Sequence, residues 1–345
     1  MTEPLGVAIV GAGYWGPNLL RNFQAYAGTR VRWVCDVDRV RAEAAARHDP
    51  LIRTTTSLDD VLSDPGVGAV AVATPAATHV EVALACLETD RHVLIEKPLA
   101  LSVAEGEKLV EIAARRGLVL MCDHTYCYTP AVRRIRDWSR GGGLGDVQYF
   151  DSVRINLGLV RSEMDVFWDL APHDLSILDF VLPDDCRPLA VAAHGADPIG
   201  AGQLCVGYLT IPLSGGAIAH VHVNWLSPTK VRRTIIGGTR RMVVWDDLEP
   251  TVPLHIYDKG VEFRVAPGAE ASREALVSYR IGDMLAPALP QVEPLSEVVT
   301  EFHTAIAERR EALTNGTSGL RVLSILEAAT ASLAADGASI PIGSR

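Results

Sequence analysis

Val7-Ala8-Ile9-Val10-Gly11-Ala12-Gly13-Tyr14-Trp15-Gly16 decides the fold of this chain. Four apolar residues in a row read as a buried strand, and Leu19, Leu20 and Phe23 then recur at helical spacing. Between strand and helix stand three glycines in the order that a dinucleotide-binding turn requires. Gly11 permits the tight turn, Gly13 lets the backbone approach a pyrophosphate, and Gly16 lets the helix pack close to the strand. Amide groups at the helix start would hold the phosphates, aided by the positive end of the helix dipole. Pro17 suits a first helical turn. Tyr14 and Trp15, inside the turn, join the glycines as candidate cofactor contacts.

Outward from this stretch, residues 31–35 read as a second strand that ends at Asp36, twenty residues past Gly16. A carboxylate there accepts both hydroxyls of an adenosine ribose and repels a 2′-phosphate, which favours NAD over NADP. Arg39 nearby softens that preference, so NADP stays open. The competing reading is an Asp that merely opens the next helix. Helical stretches around 40–47, 58–62, 78–88 and 104–116 alternate with apolar strands at 67–73, 92–95 and 119–122. That alternation is the pattern of a doubly wound parallel sheet.

The strand at 92–95 runs into Glu96-Lys97-Pro98-Leu99, and the strand at 67–73 into Thr74-Pro75. Both lead to the carboxyl edge of the sheet, where ligands of open α/β folds bind. Lys97 is therefore placed for chemistry, the competing reading being a solvated loop lysine. His79 has two readings as well: it orients a ligand, or it is a capping or core histidine. Lys97-Pro98 is a candidate cis peptide.

With 345 residues the chain exceeds what one core usually serves, so two domains are expected, divided at 123/124. Beyond Asp123 come a tyrosine-rich loop, a helix at 131–139, a glycine run at 141–145, and longer strands at 147–155, 204–212, 217–225, 232–236 and 242–245. These suggest an open, mainly antiparallel sheet, with Ser214-Gly215-Gly216 and Gly237-Gly238 as hairpin turns and helices near 295–309 and 320–335 closing the chain. The expected fold is thus α/β followed by α+β. A net charge of −10 argues against nucleic acid or an anionic membrane as partner. The six cysteines fit no metal spacing and read as reduced thiols of a cytoplasmic protein, with neither signal peptide nor membrane span. No residue cluster suggests a metal.

A helix interrupts the second domain around Trp168-Asp169-Leu170-Ala171-Pro172-His173-Asp174. Asp169 and His173, four apart, share a face. Because Pro is tolerated in a first turn, Pro172 places Asp169 at the N-cap and His173 just inside. The dipole there would keep His173 neutral, fit to act as a base. The competing reading is an ordinary helix start with a satisfied histidine.

Together, Gly11-Ala12-Gly13-Tyr14-Trp15-Gly16, Ala73-Thr74-Pro75 with His79, Glu96-Lys97-Pro98-Leu99, Gly143-Leu144-Gly145 and the Asp169–His173 pair resemble the glucose-fructose oxidoreductase, inositol dehydrogenase and MocA family. The resemblance runs nearly end to end. It implies an N-terminal Rossmann domain, a C-terminal open-faced sheet domain through which homodimers or homotetramers form, and a catalytic group of Lys97, Asp169 and His173. The cofactor set is then Gly11, Gly13, Tyr14, Trp15, Gly16, Asp36, Thr74, His79, Glu96 and Lys97. His173 is the expected base, Lys97 the group that stabilises an alkoxide, and Asp169 the partner of either His173 or a substrate hydroxyl. With a sugar as substrate, Tyr126, Tyr128 and Trp168 are candidate ring platforms, and Arg154 or Arg161 a candidate phosphate contact. Core packing or a solvated face is the competing reading for each. Many members carry an arginine near the position of Cys127, so the role of that arginine is not carried over. The stretches around Tyr14 and Trp168 are most similar to members acting on nucleotide-linked sugars. The expected activity is NAD-dependent hydride transfer at a secondary hydroxyl of a sugar, a nucleotide-diphosphate hexose at C3. A cyclitol or free-sugar dehydrogenase, a dinucleotide-sensing binding protein, and a reductase or lyase that uses hydride transiently are the alternatives.

Overall fold

The computed structural model describes residues 3–160, 163–264 and 276–343. It divides into two units, residues 1–129 with 291–327 and residues 130–290 with 328–345.

In the first unit the apolar run at 7–10 lies in β1 (Leu5–Val10), followed by α1 (Gly16–Ala25), β2 (Thr29–Cys35), α2 (Arg39–Ala46), β3 (Arg53–Thr55), α3 (Leu58–Leu62) and β4 (Ala69–Val72). Then come α4 (His79–Glu88), β5 (His92–Glu96), α5 (Val103–Arg116) and β6 (Leu120–Asp123). The strands pair in the order β3-β2-β1-β4-β5-β6, all parallel. Every residue of β4 is buried, as are Val7 to Val10 and Val93 to Ile95. Such continuous apolar strands belong to a parallel sheet covered on both faces. Chain order reverses between β1 and β4, which sets a ligand crevice at the carboxyl ends of these strands.

The second unit is built from α6 (Pro130–Arg140), β7 (Val147–Leu157), α7 (Val166–Val181), β8 (Ala190–Ala196), β9 (Val206–Pro212), β10 (Ile218–Asn224), β11 (Leu226–Gly238), β12 (Met242–Asp246), β13 (Leu254–Arg264) and β14 (Leu276–Leu285). Then follow α8 (Pro294–Glu308) in the first unit, α9 (Gly316–Ala334), whose residues divide between the units at 327/328, and β15 (Ile340–Pro341) in the second. The nine-stranded order is β14-β13-β12-β11-β7-β10-β9-β8-β15, antiparallel except for β7 with β10. Four of its strands, β8, β13, β14 and β15, were not expected from the sequence. Gly237-Gly238 differs from expectation too: the pair ends β11 and does not form the turn. A Cβ on Gly237 would strike the Tyr149 ring at 2.1 Å and one on Gly238 the Leu144 carbonyl at 2.3 Å, so close approach explains these glycines.

Helix α7 packs on β7, β9 and β10. Phe167 is buried in a notch made by two glycines: a Cβ on Gly207 would lie 2.2 Å from its ring and one on Gly195 3.0 Å. On the same face of the sheet Arg154 of β7 grips Asp174 of α7 with two nitrogens, at 2.7 and 3.2 Å, and Ser152 Oγ donates to the same carboxylate at 2.7 Å.

The expected division at 123/124 falls six residues before the observed one at 129/130, and residues 291–327 return to the first unit. Strand β6 has an edge that needs cover. The Thr314 carbonyl accepts from Cys122 N at 2.9 Å, Thr314 Oγ1 donates to the Cys122 carbonyl at 2.8 Å, and Met121 bridges Asn315. Helix α8 packs on α1, with Phe302 edge-on to Phe23. Leu99, two residues past Lys97, is seated against Gly106 of α5 and Gly319 of α9, where a Cβ would come within 3.7 and 2.9 Å of it. Among the described residues no helix is long and apolar enough to cross a membrane.

Candidate active site

The glycine turn separates into roles. Gly11 has φ +97°, and a Cβ there would meet the Ala73 carbonyl at 2.5 Å. A Cβ on Gly16 would lie 2.0 Å from the Gly11 carbonyl oxygen, so the helix start presses on the turn itself more than on the strand. At Gly13 a Cβ would meet nothing within 4 Å. No contact within the chain demands glycine there, and the space fits a ligand backbone such as a pyrophosphate. No side chain caps α1 and no acid lies in its first turn, which leaves its dipole end to an anion. Tyr14 stands exposed beside this turn.

Asp36 follows β2 as expected. Its carboxylate accepts from Ala12 N at 2.6 Å and from Asp38 N at 2.8 Å, one donor per oxygen. Each oxygen keeps a lone pair for a ribose hydroxyl. The helix-opening role belongs to Asp38, which caps α2.

At the ends of β4, β5 and β6 several polar atoms are buried with no hydrogen-bond partner among the described residues: Thr74 Oγ1, Glu96 Oε2 and both ring nitrogens of His124. Orphans are rare in finished protein interiors, and their grouping at one sheet edge suits a polar ligand. Lys97 follows β5 on a cis Lys97–Pro98 bond. Its charge acts on His79, Glu96, Asp123 and His124 alike. His79 departs from the cofactor set. It is buried, with Nδ1 2.8 Å from the Pro98 carbonyl and Nε2 2.9 Å from the Thr74 carbonyl, so its ring braces the two turns that carry Thr74 and Lys97. Burial pushes its pKa below the ordinary histidine range.

Glu96 and Asp123 are register partners across β5 and β6, which puts their carboxyl groups side by side on one face of the sheet edge. Trp15 Nε1 donates to Asp123 Oδ2 at 3.3 Å and Thr125 Oγ1 to Oδ1 at 2.7 Å. Burial first, then the charge of Asp123, raises the Glu96 pKa well above its usual range. A folded-state pKa raised in this way contributes stability below the unfolded value near 4.5, which is lost as pH rises toward the folded value. Glu96→Gln removes that loss. Its Tm relative to the parent is expected to climb as pH goes from 5 to 8, by a few degrees, or about 1–2 kcal/mol; a Tm difference independent of pH would contradict the shift.

In the second unit the helix carrying Asp169 and His173 starts earlier than expected. Asp165, not Asp169, is the N-cap, accepting from Phe167 N at 3.0 Å and Trp168 N at 3.1 Å. Pro172 therefore lies inside α7, and Trp168 loses its helical donor. His173 is two turns in, beyond the reach of the dipole argument. The shared face remains. Asp169 Oδ2 accepts from Trp225 Nε1 at 3.2 Å, and Trp225 is buried directly after β10.

Arg154 also departs from its expected role. It is buried and holds Asp174, so it fixes α7 to the sheet. Asp174→Ala leaves that guanidinium without its carboxylate in a dry site. A loss of about 3–5 kcal/mol is expected, roughly a 10 °C fall in Tm for a unit of this size. An unchanged Tm would remove the clamp from this account. Tyr128 is core, fully buried with its hydroxyl 3.0 Å from Thr314 Oγ1. Tyr126 is partly exposed, and Trp168 donates from its indole to Thr330 Oγ1 at 3.2 Å. Arg161 lies outside the described residues. Asp123 and His124, next to the expected strand end, were readable as candidates from position alone. Trp225 and Asp174 had no local signal.

Residues 5–124 match the profile of the family described as oxidoreductase family, NAD-binding Rossmann fold. Residues 5–124 are an NAD-binding domain of the Gfo/Idh/MocA oxidoreductase family. That domain has the NAD-binding Rossmann fold, and the turn, Asp36 and the orphaned atoms of the first unit fit that cofactor. Among Gfo/Idh/MocA relatives, UDP-N-acetylglucosamine 3-dehydrogenase of Acidithiobacillus ferrooxidans is 29% identical over 319 residues, 91% of this chain and 93% of that one. The scyllo-inositol 2-dehydrogenase (NAD(+)) of Bacillus subtilis is 25% identical over 250 residues, 69% and 72% of the two chains. The crystal structure of GenD2 from gentamicin A biosynthesis, in complex with NAD, superposes with a TM-score of 0.83 at 26% identity, covering 100% of this chain and 98% of that one.

Proposed function

We propose that this oxidoreductase transfers hydride between NAD and a secondary hydroxyl or ketone of a sugar, a nucleotide-diphosphate hexose acted on at C3. The observation that carries the reading is Lys97, held at the end of β5 by His79 and Leu99 in the half of the sheet that receives the second nucleotide of a dinucleotide. NAD, when bound, supplies the hydride acceptor. His173 takes the hydroxyl proton, and in reverse returns it. Lys97 hydrogen-bonds the same oxygen and stabilises the developing alkoxide. Asp169, held by Trp225, orients His173 or a neighbouring hydroxyl. Tyr126 and Trp168 are the remaining ring platforms.

The likeness to UDP-N-acetylglucosamine 3-dehydrogenase over nearly the whole chain supports the nucleotide sugar. The shorter likeness to scyllo-inositol 2-dehydrogenase supports a cyclitol or free sugar as second reading. We also propose that copies of the chain associate through the sheet face where Tyr208 and Ile218 stand exposed. The test is absorbance of reduced nicotinamide with pure protein, NAD or NADP, and a panel of nucleotide sugars, free sugars and cyclitols. Reduction of NAD by a uridine-diphosphate hexose is expected. Response to cyclitols alone overturns the nucleotide-sugar reading, and silence across the panel overturns the dehydrogenase reading.

Asp36 sets the cofactor. Asp36→Ser is expected to weaken NAD binding by about tenfold, the worth of one or two charge-assisted hydrogen bonds, and to narrow the preference over NADP, both read by titration. An unchanged NAD to NADP ratio would shift the discrimination elsewhere.

A further inference from the structure

The buried carboxyl pair at the sheet edge has chemistry that the hydride-transfer scheme leaves unused. Two carboxyl groups held side by side away from water, as register partners on adjacent strands, cannot both ionise freely, so the pair retains a proton. Asp123 receives N–H and O–H donors on both oxygens, from Trp15 and Thr125, so it is the carboxylate and Glu96 the acid. The pair thus holds one proton and one negative charge at the ends of β5 and β6, beside Lys97.

The other groups facing the pair are poor sources or sinks of protons near neutrality. Burial pushes His124 down to about 3, so its ring stays neutral. Burial raises the Cys122 thiol and the Tyr128 phenol, and both stay protonated. Cys127 is a buried thiol outside any disulfide. On α8, Glu301 is tied to Arg310 through both oxygens, at 2.7 and 2.9 Å. Thr74 and Trp15 do not titrate. Lys97 is the remaining ionisable neighbour.

We propose that the Glu96–Asp123 pair is a charge-compensating proton site for the cofactor: it gives up its shared proton when oxidised NAD binds and keeps it when NADH binds. The inference rests on the reading of the first unit as the NAD half-site. The two cofactor forms carry the same phosphates and differ by the positive charge of the oxidised nicotinamide ring, which enters over the half of the sheet formed by β4, β5 and β6. A cation brought near the pair favours its second ionisation. The proton goes to solvent, and the pair passes from one negative charge to two. When the ring accepts hydride, two electrons and one proton, its charge is lost and the pair takes a proton back. NAD affinity must therefore rise with pH while NADH affinity stays flat.

The experiment is calorimetric titration of the full chain with NAD and with NADH at pH 7.5, in phosphate and in Tris, whose ionisation heats differ. Release of up to about one proton per NAD, none per NADH, and an NAD affinity that climbs by up to about tenfold per pH unit are expected. Glu96→Gln and Asp123→Asn each set an amide against the remaining carboxylate, which keeps the single negative charge but no shared proton, so whatever NAD affinity each retains should come with no proton release. Equal proton counts for the two cofactor forms overturn the proposal, as does release that persists in both variants, which would assign it to Lys97. Should one variant fail to fold, the other and the comparison of NAD with NADH on the parent protein decide. Absence of NAD binding by the parent protein overturns the half-site reading instead.

Discussion

His173→Ala is expected to lower kcat on the identified substrate by about 10²–10⁴, the span that a positioned general base contributes, while leaving NAD affinity unchanged. The separation follows from where the residue sits. His173 is on α7 in the second unit, whereas the glycine turn, Asp36 and the orphaned atoms at the strand ends all belong to the first. The backbone of α7 does not depend on the imidazole, because Phe167 in its glycine notch and Asp174 under Arg154 hold the helix to the sheet. Near-parental turnover in the variant would reassign the base, and Asp169 would be the next residue to replace. A loss of NAD affinity would instead show that the substitution had disturbed more than proton transfer.

Lys97→Met is expected to cost about 10²–10³ in kcat, the range seen when one preorganised donor to a developing oxyanion is removed. The straight side chain of Met preserves the packing of the lysine stem and deletes the charge. Binding of NAD should survive, since the phosphates and the adenosine ribose are held elsewhere. The local consequence is electrostatic: Lys97 draws down the pKa of both Glu96 and Asp123, so its removal raises both further. A variant with parental kcat but raised KM would make Lys97 a binding group only.

The first unit was legible because its signals are local. Strand, glycine turn and helix are contiguous, and Asp36 and Lys97 both close apolar runs that can only be buried strands. Strand β3 was missed because three residues, Arg53 to Thr55, give no periodicity to read. The return of 291–327 to the first unit was invisible for a different reason: the cover that Thr314 and Asn315 give β6 is a contact between distant parts of the chain. In the second unit the Asp169–His173 spacing was readable, but the start of α7 was not. The rule that places Pro in a first turn gave way to tertiary packing, with Phe167 fixing the helix upstream and Asp165 capping it. Arg154 looked like an anion contact because sequence gives a charge without its partner, and Asp174 lies twenty residues away on another element.

The seat of Leu99 against Gly319 has a consequence for how the protein comes to be made. The turn that carries Lys97 is backed by a helix translated some two hundred residues later. The nucleotide-binding unit emerges from the ribosome early yet incomplete, with the flank of β6 bare and Leu99 lacking the Gly319 side of its seat, while residues 130–290 of the other unit are synthesised. The nascent chain must keep that apolar flank from foreign strands throughout that interval. Competence to hold the reacting end of the cofactor is thus among the last properties the polypeptide acquires, and a prematurely terminated chain would carry the glycine turn without a properly braced lysine.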